Sequence, residues 1–171
     1  MPCSNLLNHA ECDHGGWAEC STDSLRVASA ARRAANHASH DLGLDTIRLR
    51  YFKPGPNFHW DPLDPGDADF GMITLHIGPF DHELLGKACH PEKTELPTVW
   101  IRAGLARAYT ALVVLHEARH VWQMKRESIK PALTSEAEES DAQQYMWQAI
   151  QTQGFSRREL AELLRNAVRV D

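Results

Sequence analysis

Long apolar runs are missing from this chain. No stretch approaches the ~20 apolar residues of a membrane span, and the opening Met1-Pro2-Cys3-Ser4-Asn5 lacks the basic and apolar regions of a signal peptide. The expectation is a chain that is cytoplasmic when made and has no membrane partner. A basic excess is missing too: 18 Lys and Arg stand against 23 Asp and Glu, for a net charge of -5 with the ten His neutral. That balance leaves no electrostatic footprint for nucleic acid, and its mild acidity speaks only for solubility. No internal repeat or low-complexity tract appears, which argues against a solenoid. Cysteine is scarce. Cys3, Cys12, Cys20 and Cys89 allow two disulfides at most, and in a reducing compartment they are thiols or metal ligands.

What is present is the composition of an ordinary globular domain. With 171 residues, 43% of them hydrophobic and 24% charged, the chain can bury one core but is short for two. Residues 1 to 23 are polar and show neither helical nor strand period, so they read as an irregular N-terminal segment ahead of a single domain over 24 to 171. That segment crowds Cys3, His9, Cys12, His14 and Cys20 together. These are soft zinc ligands, but their spacing matches no standard finger, so a structural zinc and a partly packed tail both stay open.

From Ser24, a plausible cap, an Ala-rich amphipathic helix is expected to about Asp41, stopped by Gly43. His37 and His40 near its end suit the helix dipole better than they suit a metal. Three strands are predicted next, Thr46 to Phe52, Phe70 to Ile77 and Pro97 to Ala103, each closed by Pro or Gly. Between the first two, Asp61, Asp64, Asp67 and Asp69 lie in a Pro-rich loop without the order of a calcium loop. Phe80 to Leu96 reads as a connection. A long helix follows from Leu105 to about Lys125, then one from Glu136 to about Thr152, then a last one capped by Ser156 with Glu159. The fold class is α+β: a helix, a small three-stranded sheet, then three helices.

The long helix carries Val113-Val114-Leu115-His116-Glu117-Ala118-Arg119-His120-Val121-Trp122-Gln123. Positions four apart share a helix face, so His116 and His120 can bind one metal while Glu117, about 100° round, leans toward whatever the metal holds. Apolar neighbours on most of the circumference place this helix inside the protein. Two His and a Glu there are costly to bury unless a metal or partners satisfy them. Tyr109, Leu112, His116, His120 and Gln123 fall within about 40° of one line. Tyr109 and Gln123 can therefore contact a ligand or substrate, or simply serve the core and surface.

A catalytic zinc keeps three protein ligands and one open position. No His follows His120, which excludes the pattern H-E-x-x-H-x-x-G-x-x-H. The third ligand is sought in the acidic run Glu136-Ala137-Glu138-Glu139-Ser140-Asp141, with Glu139 the first choice and Glu138 the alternative. A Glu138 ligand would turn the helix by about 100° and bring Ala142 and Tyr145 to the metal line.

H-E-x-x-H followed about twenty residues later by E-x-D/E-A-x-x-F/Y resembles the compact zincin metallopeptidases of the gluzincin type, including the ImmA/IrrE-like group. The matching positions are His116, Glu117, His120, Glu139, Asp141, Ala142 and Tyr145, and the likeness spans roughly Thr98 to Ile150. Arg119 stands where zincins usually carry an uncharged residue, and Gln143 stands where the thermolysin form has Asp. The resemblance implies a minimal zincin-like fold, a Zn2+ held by His116, His120 and Glu139, and a protein or peptide substrate. It also implies that the strand before the long helix, Pro97 to Ala103, pairs with an extended substrate. The chemistry expected is peptide hydrolysis by a zinc-activated water with Glu117 as general base. Tyr145, Tyr109, Arg119 and His76 are candidates for a second oxyanion donor. The alternative function is a non-catalytic zinc-binding or protein-interaction module.

Overall fold

A helix that is apolar all round needs a partner on every side, and the long helix has them. In the computed structural model, which describes residues 4–5, 17–20, 24–54, 86–89, 96–127 and 135–167, this helix is α2, Arg107–Glu127. It packs on α1 (Leu25–Leu42), on α3 (Ser135–Ile150), on α4 (Arg157–Ala167), and on strands β4 (Gly86–Cys89) and β5 (Thr98–Arg102). Ala111, Leu112, Val113, Val114 and Leu115 are accordingly all 0% exposed. Burying five consecutive residues takes neighbours right round the axis.

The α1 helix forms as the sequence predicts. The Ser24 hydroxyl accepts from Arg26 N, and Gly43 closes the helix in the left-handed region with φ 61°, its N–H returning to the Ser39 carbonyl. Its inner face, Ala30, Ala31, Ala34, Ala35 and Ala38, is fully buried. With side chains that small, α1 and α2 can pack closely.

The sheet adds β1 (Ser4–Asn5), β2 (Trp17–Cys20) and β3 (Arg48–Pro54), in the order β1-β2-β3-β5-β4. β3 and β5 run parallel with Arg48 opposite Thr98, while the other neighbours are antiparallel. The architecture is α+β, with four helices among the described residues. Val99, Trp100 and Ile101 are buried in succession. That is the signature of an interior strand covered on both faces.

Three expectations change here. Residues 1 to 23, read as irregular, contribute β1 and β2 to the sheet. Short strands added through main-chain hydrogen bonds need no hydrophobic alternation to signal them. Second, the stretch read as a connection holds β4. Third, β5 is paired on both sides, by β3 and by β4, so it has no free edge for a substrate strand. The predicted strand Phe70 to Ile77, with His76, lies outside the described residues. So do the Asp-rich loop and Cys3, His9, Cys12 and His14 of the N-terminal cluster. No helix among the described residues is long and apolar enough to cross a membrane.

Gly86 explains how β4 reaches α2. A Cβ placed there would lie 2.5 Å from Val113 Cγ1 and 3.0 Å from Glu117 Oε1. Only glycine lets the strand approach the helix this closely, and it does so beside Glu117.

Candidate metal centre

Two successive turns of α2 bring His116 and His120 together, with Nε2 atoms 3.1 Å apart and rings edge to face. From α3, the Glu139 carboxylate faces both: Oε1 is 3.5 Å from His116 Nε2 and Oε2 is 3.5 Å from His120 Nε2. Among the described residues these three form the one group of His, Cys, Asp or Glu able to hold a metal ion. His116 is 0% and His120 4% exposed, and Glu117 beside them is 1% exposed. The Glu139 side chain keeps 32% of its surface open.

The spacing fits a small tetrahedral cation. Ligand bonds of ~2.0–2.2 Å at the tetrahedral angle separate donor atoms by ~3.3–3.5 Å, close to the separations seen here. The chemistry of the donor set agrees. His120 Nδ1 lies 2.6 Å from Gln123 Oε1, an acceptor only, so Nδ1 carries the hydrogen and Nε2 of the neutral ring offers its lone pair. His116 Nδ1 faces Met146 Sδ at 3.3 Å, which likewise directs Nε2 inward. Two lone pairs and a carboxylate then converge on one point, and such a point calls for a positive charge.

The pKa pattern follows from the same geometry. Burial pulls the His116 pKa down to about 4, although Glu139 works to raise it. Burial also acts to lower that of His120, but the acceptor Glu139 and the charge of Glu117 outweigh it, and the value is raised. Burial opposes ionisation of Glu139, yet its contacts with the rings of His116 and His120 hold its carboxyl well below the usual range.

The face of α3 turns Glu139 toward the two histidines. Glu139, Gln143 and Met146 lie along one side: Gln143 Nε2 donates to Glu139 Oε1 at 3.1 Å, and Met146, seven residues beyond Glu139, meets His116. The Glu138 carbonyl accepts from Gln123 Nε2 at 2.8 Å on the adjoining side. Ala142 is fully buried.

One oxyanion candidate, Arg119, is occupied elsewhere. Arg119 Nε and Nη2 clasp Asp141 at 2.8 and 3.0 Å, and its guanidinium lies 3.9 Å from the centre of the Trp122 ring. Tyr145 lies under the same guanidinium at 5.3 Å, and burial, then the Asp41 carboxylate at the end of α1, raise its phenol pKa. Tyr109 is a core residue at 9% exposure. Sequence reading missed Met146, Gly86 and the part played by Asp141. The seven-residue step from Glu139 to Met146 and a glycine inside a short strand were the available signals.

Comparisons with family profiles, curated proteins and solved structures find no match.

Proposed function

We propose that this chain is a zinc-dependent metallopeptidase of the zincin type, with His116, His120 and Glu139 as ligands and Glu117 as general base. The observation that carries the reading is the Glu139 carboxylate set 3.5 Å from both histidine Nε2 atoms. It joins an H-E-x-x-H helix to a third ligand from the following helix, as the resemblance to compact gluzincins implies. A bound zinc ion would supply Lewis-acid polarisation of a carbonyl and a lowered pKa for water. Glu117, held against β4 at Gly86, takes the proton from the attacking water and returns it to the leaving nitrogen. An extended peptide pairs with β4 rather than β5, because β5 has both edges filled.

A second reading draws on burial. Glu117 is only 1% exposed, which also suits a non-catalytic zinc-binding module. Glu117→Gln separates the two. The peptidase reading expects this variant to keep zinc and to lose about 10²–10⁴-fold in hydrolysis of an unfolded protein. Equal activity in parent and variant, or none in a zinc-loaded parent, rejects it.

A further inference from the structure

The side chains around His120 form a chain of hydrogen bonds that ends on the helix carrying Glu139. Gln123 Oε1 accepts from His120 Nδ1 at 2.6 Å. The same amide's Nε2 donates twice, to the Glu138 carbonyl at 2.8 Å and to Asp141 Oδ2 at 2.8 Å. Asp141 is in turn fixed by the two-pronged contact from Arg119. Both acceptors of the amide nitrogen belong to α3, and they flank Glu139 in sequence. Two acceptors for the nitrogen and one donor for the oxygen leave the amide a single orientation. Gln123 is 4% exposed, and its bond to His120 is buried, where hydrogen bonds are strongest.

We infer that Gln123, backed by Asp141 and Arg119, is a positioning residue that sets His120 in its Nδ1–H form and pins α3 in the register that presents Glu139. The inference rests on the metal-site reading above and extends it to residues outside the ligand set. It accounts for two features of the sequence. Arg119, the charged residue inside H-E-x-x-H, serves as the clamp on Asp141. The aspartate two positions after Glu139 then acts on His120 through Gln123, with no direct contact to either histidine needed.

It also makes the two histidines unequal. His116 Nδ1 meets a thioether, a weak acceptor, while His120 Nδ1 meets an amide oxygen at 2.6 Å. Orientation of the second ligand is therefore set by hydrogen bonding, and that of the first by packing. Partners of this kind typically govern metal affinity by 10–100-fold.

The test compares Gln123→Met with Gln123→Glu. Methionine keeps the volume and removes the acceptor for Nδ1–H as well as both donors. Glutamate keeps the acceptor and loses the donors. Two readouts apply: zinc affinity by competition with a chromophoric chelator, and the His120 tautomer from ring ¹⁵N shifts in the metal-free protein. Expected are a loss of about 10–100-fold in zinc affinity and of the Nδ1–H tautomer in Gln123→Met. Gln123→Glu should retain the tautomer and still lose zinc affinity, because both acceptors on α3 then lack their donor. Unchanged affinity and tautomer in Gln123→Met overturn the inference. A Gln123→Met protein that keeps the tautomer, or a Gln123→Glu protein with full zinc affinity, also overturns it. A parent that binds no zinc removes the metal-site reading instead, and the tautomer in metal-free protein still decides the role of Gln123.

Discussion

At the scale of single residues, the site is a problem of charge placed in a dry interior. His116, Glu117 and His120 are nearly inaccessible, and Glu139 brings a further carboxylate to them. Without a cation such a cluster is costly, which is why each ligand is expected to be needed for metal and not merely for packing. His116→Ala is predicted to abolish stoichiometric zinc by elemental analysis while leaving the helical circular dichroism of the parent. Much of this was legible in the sequence. The i, i+4 histidines declare a shared helix face, and a glutamate between them has one obvious use. The glutamate that faces the histidines was legible only to within a residue, because Glu138 and Glu139 differ by about 100° of helix rotation, a quantity set by tertiary packing. Gln123 supplied that packing contact, and the line drawn through His116, His120 and Gln123 already pointed to it.

At the scale of elements, the boundaries of α1 and α4 were readable because their caps are local chemistry. Ser156 and Glu159 form the reciprocal cap the sequence suggests: Glu159 Oε2 accepts from Ser156 N and Oγ, and Glu159 N donates to Ser156 Oγ. The structure adds that Arg107, at the start of α2, donates to the same carboxylate at 2.6 and 2.9 Å, tying α4 to the helix that carries His116 and His120. These contacts, Arg107 first and then the Ser156 backbone, lower the Glu159 pKa from 4.5 to about 2. A carboxylate with a depressed folded pKa stabilises above its unfolded value and loses that contribution as pH falls through the folded one. Glu159→Gln is therefore predicted to destabilise at neutral pH, with the difference from the parent shrinking between about pH 4.5 and 2. Urea midpoints measured across that range check it; a pH-independent difference would contradict the linkage.

Strands were less readable than helices. β3 and β5 announced themselves by alternation and by an apolar run, whereas β1, β2 and β4 are two to four residues long. Pairing of that kind is decided by neighbours far off in sequence, such as Pro54 opposite Trp17 or Thr98 opposite Cys89. Gly86 shows how much a short strand can matter. Gly86→Ala would drive a methyl group into Val113, at a cost of about 1–3 kcal/mol for overpacking. Because the same Cβ presses on Glu117, hydrolysis should fall by more than the fraction unfolded explains, with zinc content retained. Thermal melts beside activity and zinc assays separate the effects.

At the scale of the whole molecule, sheet and helices exist to hold one buried helix from several sides. α1 supplies an alanine face, β4 and β5 cover another side, and α3 brings Glu139. A metal that binds only the folded chain adds stability by mass action, about 2.7 kcal/mol at a hundred times its dissociation constant. Chelation should accordingly lower the melting temperature, and zinc should restore it in the parent but not in His116→Ala. The α+β class was legible from the order of elements. The outer strand was not, because an edge is a property of the assembled sheet, and among the described residues β4 lies outside the strand that the sequence favoured.

The central claim is that His116, His120 and Glu139 together hold one metal ion. Zinc stoichiometry by elemental analysis of the parent, Glu139→Ala and Glu138→Ala tests it most directly. The account predicts one zinc per chain in the parent and in Glu138→Ala, and a clear loss in Glu139→Ala. A parent without zinc, or a loss in Glu138→Ala with Glu139→Ala intact, would contradict it.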